Sequence, residues 1–250
     1  MKFPFMPFLH RISSPPRFYR MACRWIPRLG WTGLIFMLVG LVWGLGFAPP
    51  DYQQGNAFRI MYIHVPSAWL SLFIYTVMAV SAVIAFVWRI KLAEVMIIAN
   101  APIGATFTFL ALVTGSIWGK PMWGTYWVWD PRLTFELILL FQYFGVIALY
   151  TAITDRRVGA RAAAILAMVG IVTVPIVHYS VVWWSSLHQG SSFKTLDNPA
   201  IAWSMLVPLL IMFIGTNLFY LAVVFLRSRN ELLLREKQTA WVGEILDKGV

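Results

Sequence analysis

Residues 123–133 read WGTYWVWDPRL, so Trp123, Tyr126, Trp127 and Trp129 fall within seven residues and Asp130 follows at once. Such a cluster suits two chemistries. It can anchor a protein at a membrane interface, or it can wall in a flat apolar ligand. Elsewhere in the chain stand His10, His64, His178 and His188. Neutral imidazole is a good ligand for iron or copper, and axial histidine is a common way to hold haem. Arg59, Lys120, Arg132 and Lys194 lie in stretches that also carry a histidine or the tryptophans. A porphyrin needs apolar walls, an axial ligand and cations for its propionates, and arginine grips such carboxylates in a fork. The plainer reading makes the histidines helix-end hydrogen-bonding residues, and Lys120 and Lys194 headgroup contacts. His178, inside an apolar run, keeps that plainer reading, though an intramembrane ionisable group merits a test.

The elements that must position these residues follow from composition. The 250-residue chain is 60% hydrophobic and 12% charged, with mean hydropathy +0.72. A soluble domain of this length could not hide so much apolar surface, so the fold class is an all-α integral membrane protein. Six runs are long enough to cross a bilayer, at about 31–48, 67–87, 96–117, 133–153, 162–182 and 203–226. Sixteen Lys and Arg fall in the two tails and the 2–3 and 4–5 loops, against four in the other connections. This bias puts both termini in the cytoplasm. Gly46-Phe47-Ala48 has the small-residue look of a leader cleavage site, but Pro49 would hinder cleavage, so the first span is read as retained. The organisation expected is a basic N-tail over 1–30, a six-helix membrane domain over 31–226 and a cytoplasmic C-tail over 227–250. The external connections are 49–66, 118–132 and 183–202, and the tryptophan-rich segment lies between helices 3 and 4. Nine of thirteen tryptophans sit at or near that external face. A simple aromatic belt should be more even.

Other classes are excluded or weakened. The single cysteine, Cys23, leaves no internal disulfide, no CxxC pair and no CxxCH haem attachment site. No GxxxxGK[ST] stretch occurs, so the chain does not hydrolyse nucleotide by itself. The net charge of +10 forms no basic patch interleaved with aromatics on a soluble module, which excludes nucleic acid. Asp130-Pro131 before LTFELILL has the form of an ordinary helix start, with Asp at the N-cap and Pro at the first helical position. Asn198-Pro199 opens the last span in the same way. Glu136, one turn in, suits the positive helix end but can also face a cavity.

WGTYWVWDPR resembles the WGxxWxWD signature of the haem-handling proteins of cytochrome c maturation. PPDYQQGNAFRIMYIHVPSAW (49–69) and HYSVVWWSSLHQG (178–190) are similar to the smallest branch, the CcmC-type haem exporter family of the System I pathway, and the resemblance covers nearly the whole chain. In the synthetase-type branches the aspartate is usually followed by Pro and a lysine- or acid-containing stretch, whereas PRLTFELIL follows here. The resemblance implies that His64 and His188 are axial ligands of haem iron. It places the signature on Trp123, Gly124, Trp127, Trp129 and Asp130, with Trp118 just before and Arg132 suited to a propionate or a partner. It marks Asp51, Gln54 and Arg59 as sensitive polar positions of the first external segment.

The expected task is to hold haem b transiently outside the bacterial inner membrane and present it to a periplasmic membrane-anchored haem chaperone, whose own histidine bonds to it covalently. An ABC-type ATPase and permease, a small single-span subunit and membrane lipid are the other implied partners. This makes the chain an assembly factor, not an enzyme. Two alternatives stand beside it. A bis-histidine electron-transfer cytochrome would set its histidines inside facing spans. A transporter moving haem through its own helices would carry polar groups deep in several of them, where Asn100, Gln142 and Asn217 are the notable exceptions to apolar span interiors.

Overall fold

In hydrocarbon every backbone N–H and C=O must be paired within the protein, so long apolar runs fold as helices. The computed structural model describes residues 13–184, 186–188 and 201–247. His10, Lys194 and the Asn198-Pro199 helix start lie outside them. Among the described residues there are no strands, and six helical stretches are long and apolar enough to cross a membrane.

Helix α1, Pro15–Val42, ends in a wide π-turn over Trp43–Phe47. A 3-10 turn at Ala57–Ile60 leads directly into α2, Met61–Trp88. Helix α3 spans Lys91–Trp123 and α4 spans Pro131–Ala152. The fifth span is two helices, α5 (Arg156–Gly170) and α6 (Thr173–Trp183), joined at Ile171 and Val172. Helix α7 is Trp203–Arg235, and a short α8, Ala240–Asp247, follows.

Several helices outrun the apolar segments expected from sequence. Helix α1 begins at Pro15 inside the basic tail, α7 runs on to Arg235, and α3 takes in Trp118 and Lys120. His64 is on the first turn of α2 and not in a connection. The physical reason is that hydropathy reports where hydrocarbon must be met, whereas a helix continues wherever its backbone bonds and caps allow.

Helix α1 packs on α7 through glycines. A Cβ on Gly33 would stand 2.7 Å from the Phe219 backbone nitrogen and 3.0 Å from the Gly215 carbonyl oxygen, and one on Gly215 would stand 2.7 Å from the Met37 nitrogen. Backbones this close gain dispersion and helix contact where no hydrophobic force between helices exists. Gly33→Leu is therefore expected to cost about 1–3 kcal/mol, measured as a lower Tm of the detergent-solubilised protein. Tm unchanged within a degree would show that α1 does not depend on this crossing.

At the opposite end from the tryptophan segment, charged residues tie the bundle together. Lys91 pairs with Glu236 at 2.5 Å, Arg235 with Glu231 at 2.7 Å, and the Trp241 indole N–H donates to Glu236 at 2.6 Å. The Tyr150 hydroxyl also donates to Glu231. These contacts join the start of α3, α4, the end of α7 and α8, so the helices are held at one end and the other end is shaped by the residues below.

Candidate functional site

Helix α3 must stop for the tryptophan segment to begin. It stops at Gly124, whose φ of 79° is left-handed and whose N–H donates to the Lys120 carbonyl at 3.0 Å. Only glycine adopts that conformation without strain, so the glycine of the signature is a helix terminator. Helix α4 then starts where sequence placed it. Asp130 is its N-cap, with Oδ1 accepting from the Arg132 N–H at 2.9 Å and Pro131 at the first position.

Asp130 also reaches across the bundle. Its Oδ2 accepts the Leu187 N–H at 3.1 Å, which ties residues 186–188 to the start of α4. Burial opposes ionisation of this carboxyl, but bonds from the Ser186 hydroxyl and the Arg132 and Leu187 N–H groups, with nearby His188, hold it below the usual carboxylate range. His188 therefore owes its position to a cap 58 residues earlier. Its ring meets Trp123 edge-on at 4.9 Å between centroids. Burial, and then the Arg132 guanidinium, push its pKa down to about 4 against the pull of Asp130. The imidazole is thus neutral near pH 7 with a lone pair to give.

His64 is held by different partners. Its Nδ1 lies 3.1 Å from the Thr114 hydroxyl oxygen on α3, and its ring meets Trp118 edge-on at 5.6 Å. The Trp118 indole N–H donates to Gln54 Oε1 at 2.9 Å. Gln54 is fixed in turn by an Asx turn, in which Asp51 Oδ1 accepts the N–H groups of Gln53 (2.9 Å) and Gln54 (2.7 Å). Asp51 and Gln54 thus act on His64 through Trp118.

His64 and His188 line one cavity together with Arg132 and Glu136. Glu136 Oε1 and His188 Nδ1 are buried without a hydrogen-bond partner among the described residues; the 3.6 Å from Nδ1 to Asp130 is too long for such a bond. Orphaned groups of this kind call for a ligand or a functional reason. The cavity measures about 30 Å³, room for one water molecule and not for a porphyrin. Beside it, sharing Leu112, an apolar groove of about 500 Å³ runs between α3 and α4 beneath Trp127 and Trp129. Those two indoles meet edge-on at 5.5 Å, and Trp129 is 76% exposed. A larger groove on α1, about 660 Å³ between Leu38 and Phe47, carries no ionisable side chain.

The expected site residues thus divide. The structure brings His64, His188 and Arg132 to one cavity, sets Trp118 and Trp123 against one histidine each, and leaves Trp127 and Trp129 to wall the groove. Arg59 is elsewhere: its guanidinium donates to the carbonyls of Gly44 (2.8 Å), Leu45 (2.5 Å) and Ala48 (2.8 Å), closing the end of α1. His178 lies on an exposed helix face beside Tyr179. Glu136, read as either a helix-end charge or a cavity residue, is in the cavity. Thr114 and Gly115 were not singled out by sequence, because a threonine and a glycine in an apolar span are commonplace; only their spacing from Trp118, one turn on, hints at a shared face.

Arg59→Ala is expected to lower stability by roughly 2–3 kcal/mol through its lost charge-assisted bonds, seen as Tm. Arg132→Ala, which alters the cavity wall and not a helix end, should lower Tm less. The reverse order would mean that Arg59 does not hold the end of α1.

Comparison with known proteins identifies the family. The family model described as CcmC, Heme exporter protein C, matches residues 8–243. The chain is 52% identical to Heme exporter protein C of Haemophilus influenzae over 235 residues, covering 94% of this chain and 96% of that one. It is 52% identical to Heme exporter protein C of Escherichia coli K12 over 240 residues, covering 96% and 97%. A putative cytochrome c biosynthesis ccmC-like mitochondrial protein of Marchantia polymorpha is 41% identical over 207 residues, covering 79% and 87%. With matches of this length and identity, the chain belongs to the heme exporter protein C family.

Proposed function

We propose that this protein binds haem b at the tryptophan-rich end of the bundle, on the periplasmic side of the inner membrane, and presents it to a membrane-anchored haem chaperone for covalent attachment. It does so within an ABC-type complex that includes an ATPase, a permease and a small single-span subunit. The observation that carries this reading is the convergence of His64 and His188, 124 residues apart, on one cavity with Arg132. Two imidazoles, a guanidinium and adjoining tryptophan walls are the donor set a porphyrin carboxylate–iron ligand requires.

In this reading the protein's contribution is orientation. Trp127 and Trp129 bed the apolar ring, Arg132 takes a propionate, and the histidines fix the iron, so one edge of the porphyrin meets the chaperone's nucleophile. A cavity of about 30 Å³ must widen for both histidines to ligate, which parts residues 186–188 from α2 and α3. The tie to be kept or broken is the Leu187-to-Asp130 hydrogen bond.

Two of the three deep polar side chains favour this reading over passage of haem through the helices. Asn100 donates to the Met96 carbonyl and accepts from Tyr220 (2.8 Å), and Asn217 donates to the Phe213 carbonyl (2.7 Å). These two are satisfied and support packing; the third, Gln142, donates to the Thr173 hydroxyl (2.8 Å) but its Oε1 is buried without a partner among the described residues. The test is co-expression with the haem chaperone, with and without the ATPase, followed by haem staining of the purified pair. Covalent haem on the chaperone in both cases is the expected result. Haem uptake into vesicles by this chain alone, with no adduct, would favour transport instead.

A further inference from the structure

We infer that Thr114 is a positioning residue that fixes the proton of the His64 imidazole on Nδ1 and so leaves the Nε2 lone pair to bind iron. The inference deepens the proposed function and rests on His64 being an axial ligand.

A threonine hydroxyl has one proton to give and two acceptor sites. The Thr114 proton goes to the Leu110 carbonyl, 2.6 Å away; the Ala111 carbonyl is more distant at 3.4 Å. With its proton spent on the backbone, Thr114 Oγ1 can only accept from His64 Nδ1 at 3.1 Å. That nitrogen therefore carries the hydrogen, and the neutral ring's remaining lone pair is on Nε2. A hydrogen bond on the non-ligating nitrogen sets both the tautomer and the basicity of a metal-binding imidazole.

The same face of α3 shapes the seat around the ring. A Cβ on Gly115 would stand 3.0 Å from His64 Cε1, so glycine there lets the imidazole lie close against the helix. Trp118, one turn further, closes the ring's flank and is itself tied to Gln54. Thr114, Gly115 and Trp118 thus form a cradle on one stripe of α3, in which the Thr114 hydroxyl and the Ala111 backbone, acceptors that both favour a proton on the ring nitrogen facing α3, meet His64.

The test uses the full-length, haem-free protein labelled with 15N-histidine, with His64→Ala to assign the His64 signals. Wild type and Thr114→Ser should both show His64 as the Nδ1–H tautomer by imidazole 15N shifts. Thr114→Val, which keeps shape and loses the acceptor, should populate the Nε2–H tautomer. It should also weaken haem retention about 10–100-fold, the usual effect of removing an outer-shell partner, and the serine variant should restore it. If Thr114→Val fails to fold, Thr114→Ala carries the same comparison. An unchanged His64 tautomer in the folded valine or alanine variant overturns the inference. Haem retention unaffected by His64→Ala overturns the ligand reading alone, because the tautomer measurement needs no haem.

Discussion

His64→Ala and His188→Ala are each expected to abolish the haem-loaded chaperone. Loss of a ligand should exceed the ~10–100-fold loss typical of removing a ligand's outer-shell partner, which puts the adduct below detection by haem stain. The two histidines come from the first turn of α2 and from the segment after α6, and they line one cavity with Arg132 and Glu136. The Tm should fall less than the adduct. His188 Nδ1 has no hydrogen-bond partner to lose and its ring gives up an edge contact with Trp123, while His64 gives up its bonds with Thr114 and the Ala111 backbone and an edge contact with Trp118. A loaded chaperone at wild-type level in either variant would remove that histidine from the ligand set. Loss of the adduct with a collapse of Tm would mean the side chain holds the bundle.

Asp130→Ala is expected to have the next largest effect. One carboxylate performs two tasks: Oδ1 caps α4 and Oδ2 holds the Leu187 N–H. Losing an N-cap costs about 0.5–2 kcal/mol, and a hydrogen bond to a charged group contributes about 1.5–3 kcal/mol. The combined loss is about 2–5 kcal/mol, and the part that ties residues 186–188, the Leu187 bond, would by itself weaken their docking by roughly 10-fold or more. Haem-loaded chaperone should fall accordingly. Asp130→Asn separates the tasks, since asparagine caps nearly as well but brings no charge to the 187 amide. It should keep Tm near wild type and still lower the adduct. Wild-type Tm together with wild-type adduct in Asp130→Asn would reduce Asp130 to a helix cap alone.

The sequence made the start of α4 readable because Asp-Pro is a local signal: cap and first helical residue are adjacent, and no other element is needed to interpret them. The six spans were readable for the same reason, since hydrocarbon demands a run of apolar residues whatever the packing. The reach of Asp130 to Leu187 was not readable, because the two are brought together only by the docking of α6 beside α4. Arg59 shows the same limit. Its charge and its place outside the apolar run suggested a carboxylate ligand, but the nearest acceptors are the open carbonyls at the end of α1, and those are visible only once the π-turn at Trp43–Phe47 is in place.

The tryptophans illustrate a second limit. Composition marked Trp118, Trp123, Trp127 and Trp129 as one platform, but helix geometry divides them. Trp118 and Trp123 are on α3 and face different histidines, whereas Trp127 and Trp129 follow the left-handed stop at Gly124 and turn over the groove. Thr114 carried no signal by type, since its role depends on a histidine 50 residues away.

The central claim is that His64 and His188 bind one iron together. Its most direct test is the electron paramagnetic resonance spectrum of the purified protein loaded with ferric haem. The wild type should show a six-coordinate low-spin bis-imidazole signal, and each single alanine variant should convert to high spin. A low-spin bis-imidazole signal persisting unchanged in either variant would contradict the account.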